Sequence, residues 1–316
     1  MRLTAEAAAT ATADSASSED ITRSVVTAAA SSRDERLREV MPALIRHLHD
    51  FAREVRLQPG ELFAASQFFT ECGQISDHAR HEFLLLSDTL GLTMVVDTES
   101  AAVAPGAFES SVLGPFYRAG APEVPSGANL SRRGQLDGQP LHFSGRVLDL
   151  AGHPVSGAAV DIWGTDATGR YENVDPDQPD MNLRGRVSTG PDGTFDVWSV
   201  KPVSYPVPAD GPAGRLLYQM DRHNMRPAHV HVIVSAPGYR TVVSELFTDD
   251  DPYLSSDAVF GVKSSLIVHY DQVFDESAAE RAGVRSPFWS LTYEFLLTPG
   301  ATTPVAFSAG PGPATA

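Results

Sequence analysis

Two histidines one residue apart, His229 and His231, stand at the head of an apolar run, Val232-Ile233-Val234. On an extended strand, residues i and i+2 point to the same face, so imidazoles at this spacing can reach one metal ion. Pro227 favours extended backbone at Arg226, just before the motif. A second copy, His47-Leu48-His49, fails the same test. It lies in a segment of helical periodicity, where i and i+2 diverge by about 200° around the axis, and reads as a surface feature. His78 and His81, three apart on an expected helix, have no ligand partner nearby and read as solvated side chains. Two histidines leave a metal site incomplete, and Asp, Glu, Cys or Tyr must supply the rest. A single cysteine, Cys72, disfavours a structural zinc cluster. It falls in an apolar helical stretch and reads as packing. Two long connections, 164–192 and 201–228, offer Tyr171 and Tyr205, but spacing alone selects neither. Connections of that length in a compact domain are usually functional or disordered.

The elements that must position these residues change character near residue 118. Before it, Leu37, Val40, Met41, Leu44, Ile45 and Leu48 form a helical stripe, with Pro42 expected in the first turns or at a kink. Leu62, Phe63, Phe68 and Phe69 mark a second helix. Phe83, Leu84, Leu86 and Leu90 mark a third, entered at Ile75-Ser76-Asp77 and stopped at Gly91. After Tyr117, glycine and proline become frequent and apolar residues alternate. Seven strands are expected, at 141–150, 155–163, 193–200, 229–236, 239–247, 265–270 and 291–297. Short strands separated by turns suggest a β-sandwich. The expected fold is therefore mainly β with an α-helical N-terminal part. Its divisions are a disordered extension 1–18, a helical domain 19–118, a two-sheet β-sandwich catalytic domain 119–300 and a flexible tail 301–316.

At 316 residues with 42% hydrophobic content, the chain has enough material for a sizeable core. A net charge of -16 disfavours nucleic acid as a partner, because phosphate binding needs clustered Lys and Arg. No apolar run approaches the ~20 residues of a spanning helix. The Ala/Thr/Ser-rich start lacks the basic and apolar regions of a secretory signal. A cytoplasmic location is the expectation.

Several motifs occur together and in order: Leu113-Gly114-Pro115-Phe116-Tyr117, Gly157 to Trp163, Gly169-Arg170-Tyr171, Asp175-Pro176, Asn182 to Arg186, Ser204-Tyr205-Pro206, and Arg226-Pro227-Ala228-His229-Val230-His231. In these the chain resembles the intradiol ring-cleavage dioxygenases, collinearly from about residue 34 to 298. The resemblance implies ferric iron, Fe(3+), held by the phenolates of Tyr171 and Tyr205, the imidazoles of His229 and His231, and a hydroxide. His231 and Tyr205 would be axial. A small aromatic diol or triol would displace the hydroxide and Tyr205, and would react with O2 so that the ring opens between its hydroxylated carbons. Arg226 would lie over the substrate and stabilise charge developing on the ring. The resemblance also implies a homodimer paired through the helical domain, with phospholipid held between the helices.

Within the family, the chain is most similar to the members that cleave hydroxyquinol (benzene-1,2,4-triol). Leu86 to Gly91, Tyr205 to Pro212, Asp251 to Leu254 and Ser256 to Lys263 carry that similarity. It implies a pocket of Leu85, Asp88, Val112, Leu113, Gly114, Pro115, Phe116, Tyr117, Val207 and Pro208 beside Arg226. Asp88 would accept from the third hydroxyl, and the product would be 3-hydroxy-cis,cis-muconate (maleylacetate). Glu245 departs from the pattern, standing where catechol-cleaving relatives often carry glutamine. Catechol and chlorocatechol are the alternative substrates. An alternative of another class is a non-catalytic transthyretin-like module, which residues 145–200 also resemble through the turn and strand from Gly152 to Ala158.

Overall fold

A computed structural model describes residues 17–77, 80–100, 104–133 and 137–302. His78, and nearly all of the expected extension 1–18 and tail 301–316, lie outside the described residues. Five helices come first: α1 (Ser18–Ala29), α2 (Glu35–Glu54), α3 (Pro59–Ile75), α4 (Glu82–Thr89) and α5 (Leu92–Ser100). The strands that follow are β1 (Glu123–Val124), β2 (Ala128–Asn129), β3 (Pro140–Asp149), β4 (Ala159–Trp163), β5 (Arg184–Ser188), β6 (Thr194–Val200) and β7 (Tyr205–Pro206). Next come α6 (Pro212–Gln219), β8 (Met225–Arg226), β9 (His229–Ser235), β10 (Val242–Thr248), a 3-10 turn (Ser264–Leu266), β11 (Ile267–Val268), β12 (Asp271–Val273), α7 (Glu276–Ala282) and β13 (Phe288–Leu297). The last of the early helices and the first strand thus flank the change of pattern near 118.

Two compact units divide at residues 68 and 69. In the first, α1 begins with a capping box, in which Ser17 and Asp20 satisfy each other's backbone N–H groups. Thr22 of α1 bonds His49 of α2, which places the rejected His47-Leu48-His49 motif on a helix as expected. Pro42 lies inside α2, which begins at Glu35. Leu37, Val40, Leu44, Leu48 and Phe51 of α2 are exposed within this chain.

In the second unit, two sheets form a sandwich. One has the strand order β1-β5-β4-β9-β10-β11 and the other β12-β13-β3-β6-β2. Leu141, Phe143, Phe195, Leu291 and Phe295 of the second sheet meet Val160, Ile162, Val187, Val230, Val232 and Val234 of the first. The position that matters most for function is β9. All of its residues but Ser235 are buried. Alternation sends Val230, Val232 and Val234 into the sandwich and His229 and His231 to the opposite face, which is why the run reads as continuously apolar. Loops cover that outer face, where Phe116, Trp163, Tyr171, Tyr205 and Ile233 form a separate cluster with Leu113, Tyr117 and Val243.

Some expectations differ from what is found. The segment 164–192 contains β5, whose Arg184-Gly185-Arg186 start does not look like a strand. The segment 201–228 contains α6, β7 and β8. The strand expected from 155 begins at Ala159, because Gly157 takes a left-handed turn (φ 71). The strand expected at 265–270 shrinks to β11, Ile267–Val268, preceded by the end of a 3-10 turn, and β12 was not anticipated. His81 stands at the N-cap position of α4, without a side-chain capping bond, instead of lying within a helix. Cys72 is fully buried on α3, as packing requires.

Candidate metal centre and its surroundings

Four buried polar atoms converge above β9. Tyr171 Oη lies 3.1 Å from Tyr205 Oη and 3.0 Å from His231 Nε2. His229 Nε2 lies 3.2 Å from His231 Nε2 and 3.4 Å from Tyr205 Oη. The residues come from three different places, and each is held by identifiable contacts. His229 Nδ1 is 2.7 Å from the Pro227 carbonyl. A proton on Nδ1 serves that bond and leaves the Nε2 lone pair facing the cluster. His231 is stacked under Trp163 of β4, with ring centroids 4.6 Å apart and planes at 4°.

Tyr171 stacks on Phe116, with centroids at 4.6 Å. Its neighbour Glu172 forms a buried pair with Arg184 of β5 at 2.7 Å, and Arg184 also donates to the Phe116 carbonyl. The unexpected strand β5 therefore anchors both Tyr171 and Phe116. Tyr205 pairs with Arg226 across the short β7–β8 ladder. Asp251 joins the two ends of the site: its Oδ2 accepts from Ser204 Oγ at 2.5 Å and from the Ala228 N–H at 2.8 Å. Glycine is required at 169, where φ is 81° and a Cβ would stand 2.9 Å from the Tyr205 Cβ. A Cβ at Gly114 would meet His231 Cε1 at 3.2 Å, so the 112–117 loop lies on His231.

Burial decides the protonation states. It is the main cause holding His229 down to about 3, with Arg226 adding to it, and it likewise holds His231 well below the usual range. Both imidazoles are therefore neutral and can donate lone pairs. Burial pushes Tyr205 up to about 12 and Tyr171 well above the ordinary phenol value.

Arg226 is buried beside the four. Its Nη1 lies 3.3 Å from His229 Nε2 and 2.6 Å from Glu245 Oε1, and its Nε lies 3.1 Å from Asp257 Oδ1. Glu245 faces His231 across the β9–β10 ladder. With His229 and His231 it makes a candidate metal site whose ligand atoms fall within 4.8 Å of one another. Both Glu245 oxygens are engaged by Arg226, at 2.6 and 2.8 Å, and Ser111 adds a bond at 3.0 Å. The tyrosine hydroxyls carry no such competing ion pair.

Of the other expected pocket residues, Leu113, Phe116 and Tyr117 join the aromatic cluster that contains Tyr171 and Tyr205. Val207 follows Tyr205 and exchanges hydrogen bonds with Asn224. Asp88, on α4, is 1% exposed and feels the charges of Arg226, Glu245 and Asp257. Leu85 and Val112 are buried, and Pro115 and Pro208 are half-buried; these four have no recorded bond to the cluster. Sequence reasoning assigned no role to Asp251, Asp257, Ser111 or Trp163. An Asp able to form an Asx-type turn with the N–H two residues on, as Asp257 does with Val259, was the one local signal available.

The family model described as "Dioxygenase" matches residues 112–299, and the one described as "Catechol dioxygenase N terminus" matches 34–107. The chain belongs to the intradiol ring-cleaving dioxygenases. It is 45% identical over 266 residues to the hydroxyquinol 1,2-dioxygenase of Rhizobium sp., spanning 84% of this chain and 90% of that relative. The solved hydroxyquinol 1,2-dioxygenase of Pseudomonas putida DLL-E4 superposes with a TM-score of 0.80 at 44% identity, covering 90% of this chain and 99% of that one. The catechol 1,2-dioxygenase of Acinetobacter radioresistens gives a TM-score of 0.80 at 30% identity, with 90% and 94% covered. This membership excludes the reading as a non-catalytic transthyretin-like module. Among the described residues, no helix of this dioxygenase is long and apolar enough to cross a membrane.

The donor set fits a hard, highly charged cation. Two neutral imidazoles and two phenols meet in a buried site where the phenols, left to themselves, would keep their protons. A bound cation inverts that preference and favours phenolate.

Proposed function

We propose that this dioxygenase opens hydroxyquinol with O2 between its vicinal hydroxyls, yielding 3-hydroxy-cis,cis-muconate (maleylacetate), at an Fe(3+) centre held by Tyr171, Tyr205, His229 and His231. Both oxygen atoms enter the product. The observation that carries the reading is the buried convergence of the two phenol oxygens and the two Nε2 atoms within 3.0–3.4 Å. When bound, ferric iron would chelate a catechol-type diol through both oxygens and make the ring reactive towards O2. Tyr171 is the fixed ligand, pinned by Phe116 and by the Glu172–Arg184 pair. Tyr205, on a two-residue strand, would be the ligand that gives way to substrate, its Oη taking up a proton released by the diol. Arg226 is the catalytic cation, placing an N–H beside His229 Nε2 where charge develops on the ring.

Asp88 favours the triol over catechol. Its Oδ1 accepts from Thr93 at 2.6 Å, while its buried Oδ2 has no partner. A third ring hydroxyl would supply one, and an acceptor built for a hydroxyl discriminates against a ligand that lacks it. Burial raises Asp88 to about 6. A raised carboxyl destabilises the fold only when charged. The penalty is absent below the unfolded value, grows as pH rises towards about 6, and is complete above it. Asp88→Asn is therefore expected to stabilise the protein by roughly 1–3 kcal/mol at pH 8 and hardly at all at pH 4. Its preference for hydroxyquinol over catechol, measured as the ratio of kcat/KM by oxygen uptake, should fall about tenfold or more. Wild type turning over catechol far faster than hydroxyquinol, or an unchanged ratio in the variant, would sink the substrate assignment.

The helical part, 19–118, is proposed to pair two copies around phospholipid. The exposed stripe of Leu37, Val40, Leu44, Leu48 and Phe51 supports this. Light scattering should give twice the chain mass, with lipid in the solvent extract. A monomer would overturn it.

A further inference from the structure

Arg226 has five N–H groups, and the structure accounts for four of them with carboxylates. Nε and one Nη2 proton go side-on to Asp257, at 3.1 and 3.2 Å. The other Nη2 proton and one Nη1 proton go end-on to Glu245, at 2.8 and 2.6 Å. The remaining Nη1 proton is the one directed at His229 Nε2, 3.3 Å away. Two planar forks set at an angle fix the guanidinium in all its rotations, whereas Glu245 alone would leave it free to swing about its end-on axis.

Asp257 is itself held for this task. Its Oδ1 accepts from the Val259 N–H at 3.3 Å and its Oδ2 from the Gly261 N–H at 2.9 Å. The turn that wraps it carries Phe260 at φ 59, a left-handed conformation uncommon for a bulky residue. The Ala258 N–H bonds the Met225 carbonyl, and the Arg222 guanidinium bonds the Ala258 carbonyl at 2.9 Å. Ser111 Oγ bridges the Gly261 carbonyl at 2.8 Å and Glu245 Oε2 at 3.0 Å, joining the two carboxylate arms. At Gly261 a Cβ would stand 2.9 Å from Arg226 Nη2, 3.0 Å from Glu245 Oε2 and 3.2 Å from Asp257 Oδ2. The turn closes only because that residue has no side chain.

We infer that Asp257 is a positioning residue for the ring-opening reaction: it sets the direction of the one Arg226 N–H that faces the reacting centre. The bonds of Asp257 go to Arg226 and to the backbone of its own turn, so it acts through Arg226. The inference rests on the centre being the dioxygenase site. Glu245 is a poor probe of it, because Glu245 Oε1 also lies 3.3 Å from His229 Nε2.

The test is Asp257→Asn in the iron-loaded protein, with Asp257→Glu as the second variant. Asn keeps the size and one acceptor but loses the two-oxygen fork. The kcat on hydroxyquinol should fall about ten- to a hundredfold, with KM within roughly twofold and iron content unchanged. Asp257→Glu, which keeps the fork on a longer arm, should recover part of the kcat. A second readout is independent of turnover. Anaerobic titration with 4-nitrocatechol should give the wild-type dissociation constant but a displaced visible band, because the N–H aimed at the bound diol has moved. A kcat within twofold of wild type, an undisplaced band, or loss of iron from both variants would each overturn the positioning role. A wild-type protein that oxidises no diol would overturn the dioxygenase reading instead, and the 4-nitrocatechol bands would still decide the part played by Asp257.

Discussion

His229→Ala is expected to purify without stoichiometric iron, without the visible tyrosinate band and without ring-cleaving activity. The imidazole it removes is the best prepared of the four donors. It is neutral, its Nδ1 is occupied by the Pro227 carbonyl, and its Nε2 faces the cluster. Removing an outer partner of a ligand typically costs 10- to 100-fold in metal affinity, and removing the ligand itself must cost more. Tyr171→Phe is the cleaner companion. It deletes one oxygen while preserving the ring stacked on Phe116, so the metal-free protein should keep its stability within about 1 kcal/mol. Its iron should be lost or its band displaced. Full activity in either variant, measured by oxygen uptake beside an iron assay, rules out the assigned centre. Acid adds a check. Burial holds His229 down to about 3 against 6.5 for an ordinary imidazole, so between those values the unfolded chain takes a proton that the buried ring refuses. The stability of the metal-free wild type should therefore fall as pH drops from about 6.5 to about 3, and that of His229→Ala should fall less.

What was legible in the sequence follows from how local each signal is. The two histidines could be read because a strand repeats every two residues and a helix does not; the same rule set aside His47 and His49. Tyr171 and Tyr205 could not be read that way. They sit in connections where periodicity is silent, and only the family motifs marked them. The supporting groups were less visible still. Glu245 and Asp257 matter because both reach Arg226, 19 and 31 residues away along the chain. Pairings over such separations leave no trace in local spacing. Strand β5 was missed for a related reason. Arg184 is charged and buried, which contradicts the pattern of a core strand until Glu172 is placed beside it. The helical stripe of α2 was legible as a stripe, but an apolar face looks the same whether it packs within the chain or against a second copy.

Arg226→Ala should be the most destabilising single change in the site. The arginine pairs with two buried carboxylates, Glu245 and Asp257, at 2.6 and 3.1 Å. Removing one partner of a buried pair leaves an uncompensated charge and costs about 3–5 kcal/mol. The sign of its pH dependence is the discriminating feature. In the wild type, Asp257 is held below the ordinary carboxylate value despite its burial, chiefly by Arg226, so its contribution to stability is lost as pH falls through that depressed value. Glu245 is already raised by burial, with Arg226 the main restraint. Without the guanidinium both carboxyls rise, the folded state binds protons more readily than the unfolded one, and the variant gains more stability on acidification than the wild type does. Urea midpoints at pH 5 and pH 8 should therefore lie closer to wild type at pH 5 and further from it at pH 8. A parallel offset at both pH values would mean that the arginine contributes packing and not charge. Arg226→Lys separates the catalytic part. It keeps a positive charge but cannot make two planar forks, so it should restore some stability while kcat stays about a hundredfold down. The triple change Arg226→Met, Glu245→Gln, Asp257→Asn should restore folding at neutral pH without restoring turnover, because removing every charge of a buried network relieves its desolvation while nothing remains to meet the charge that develops on the ring.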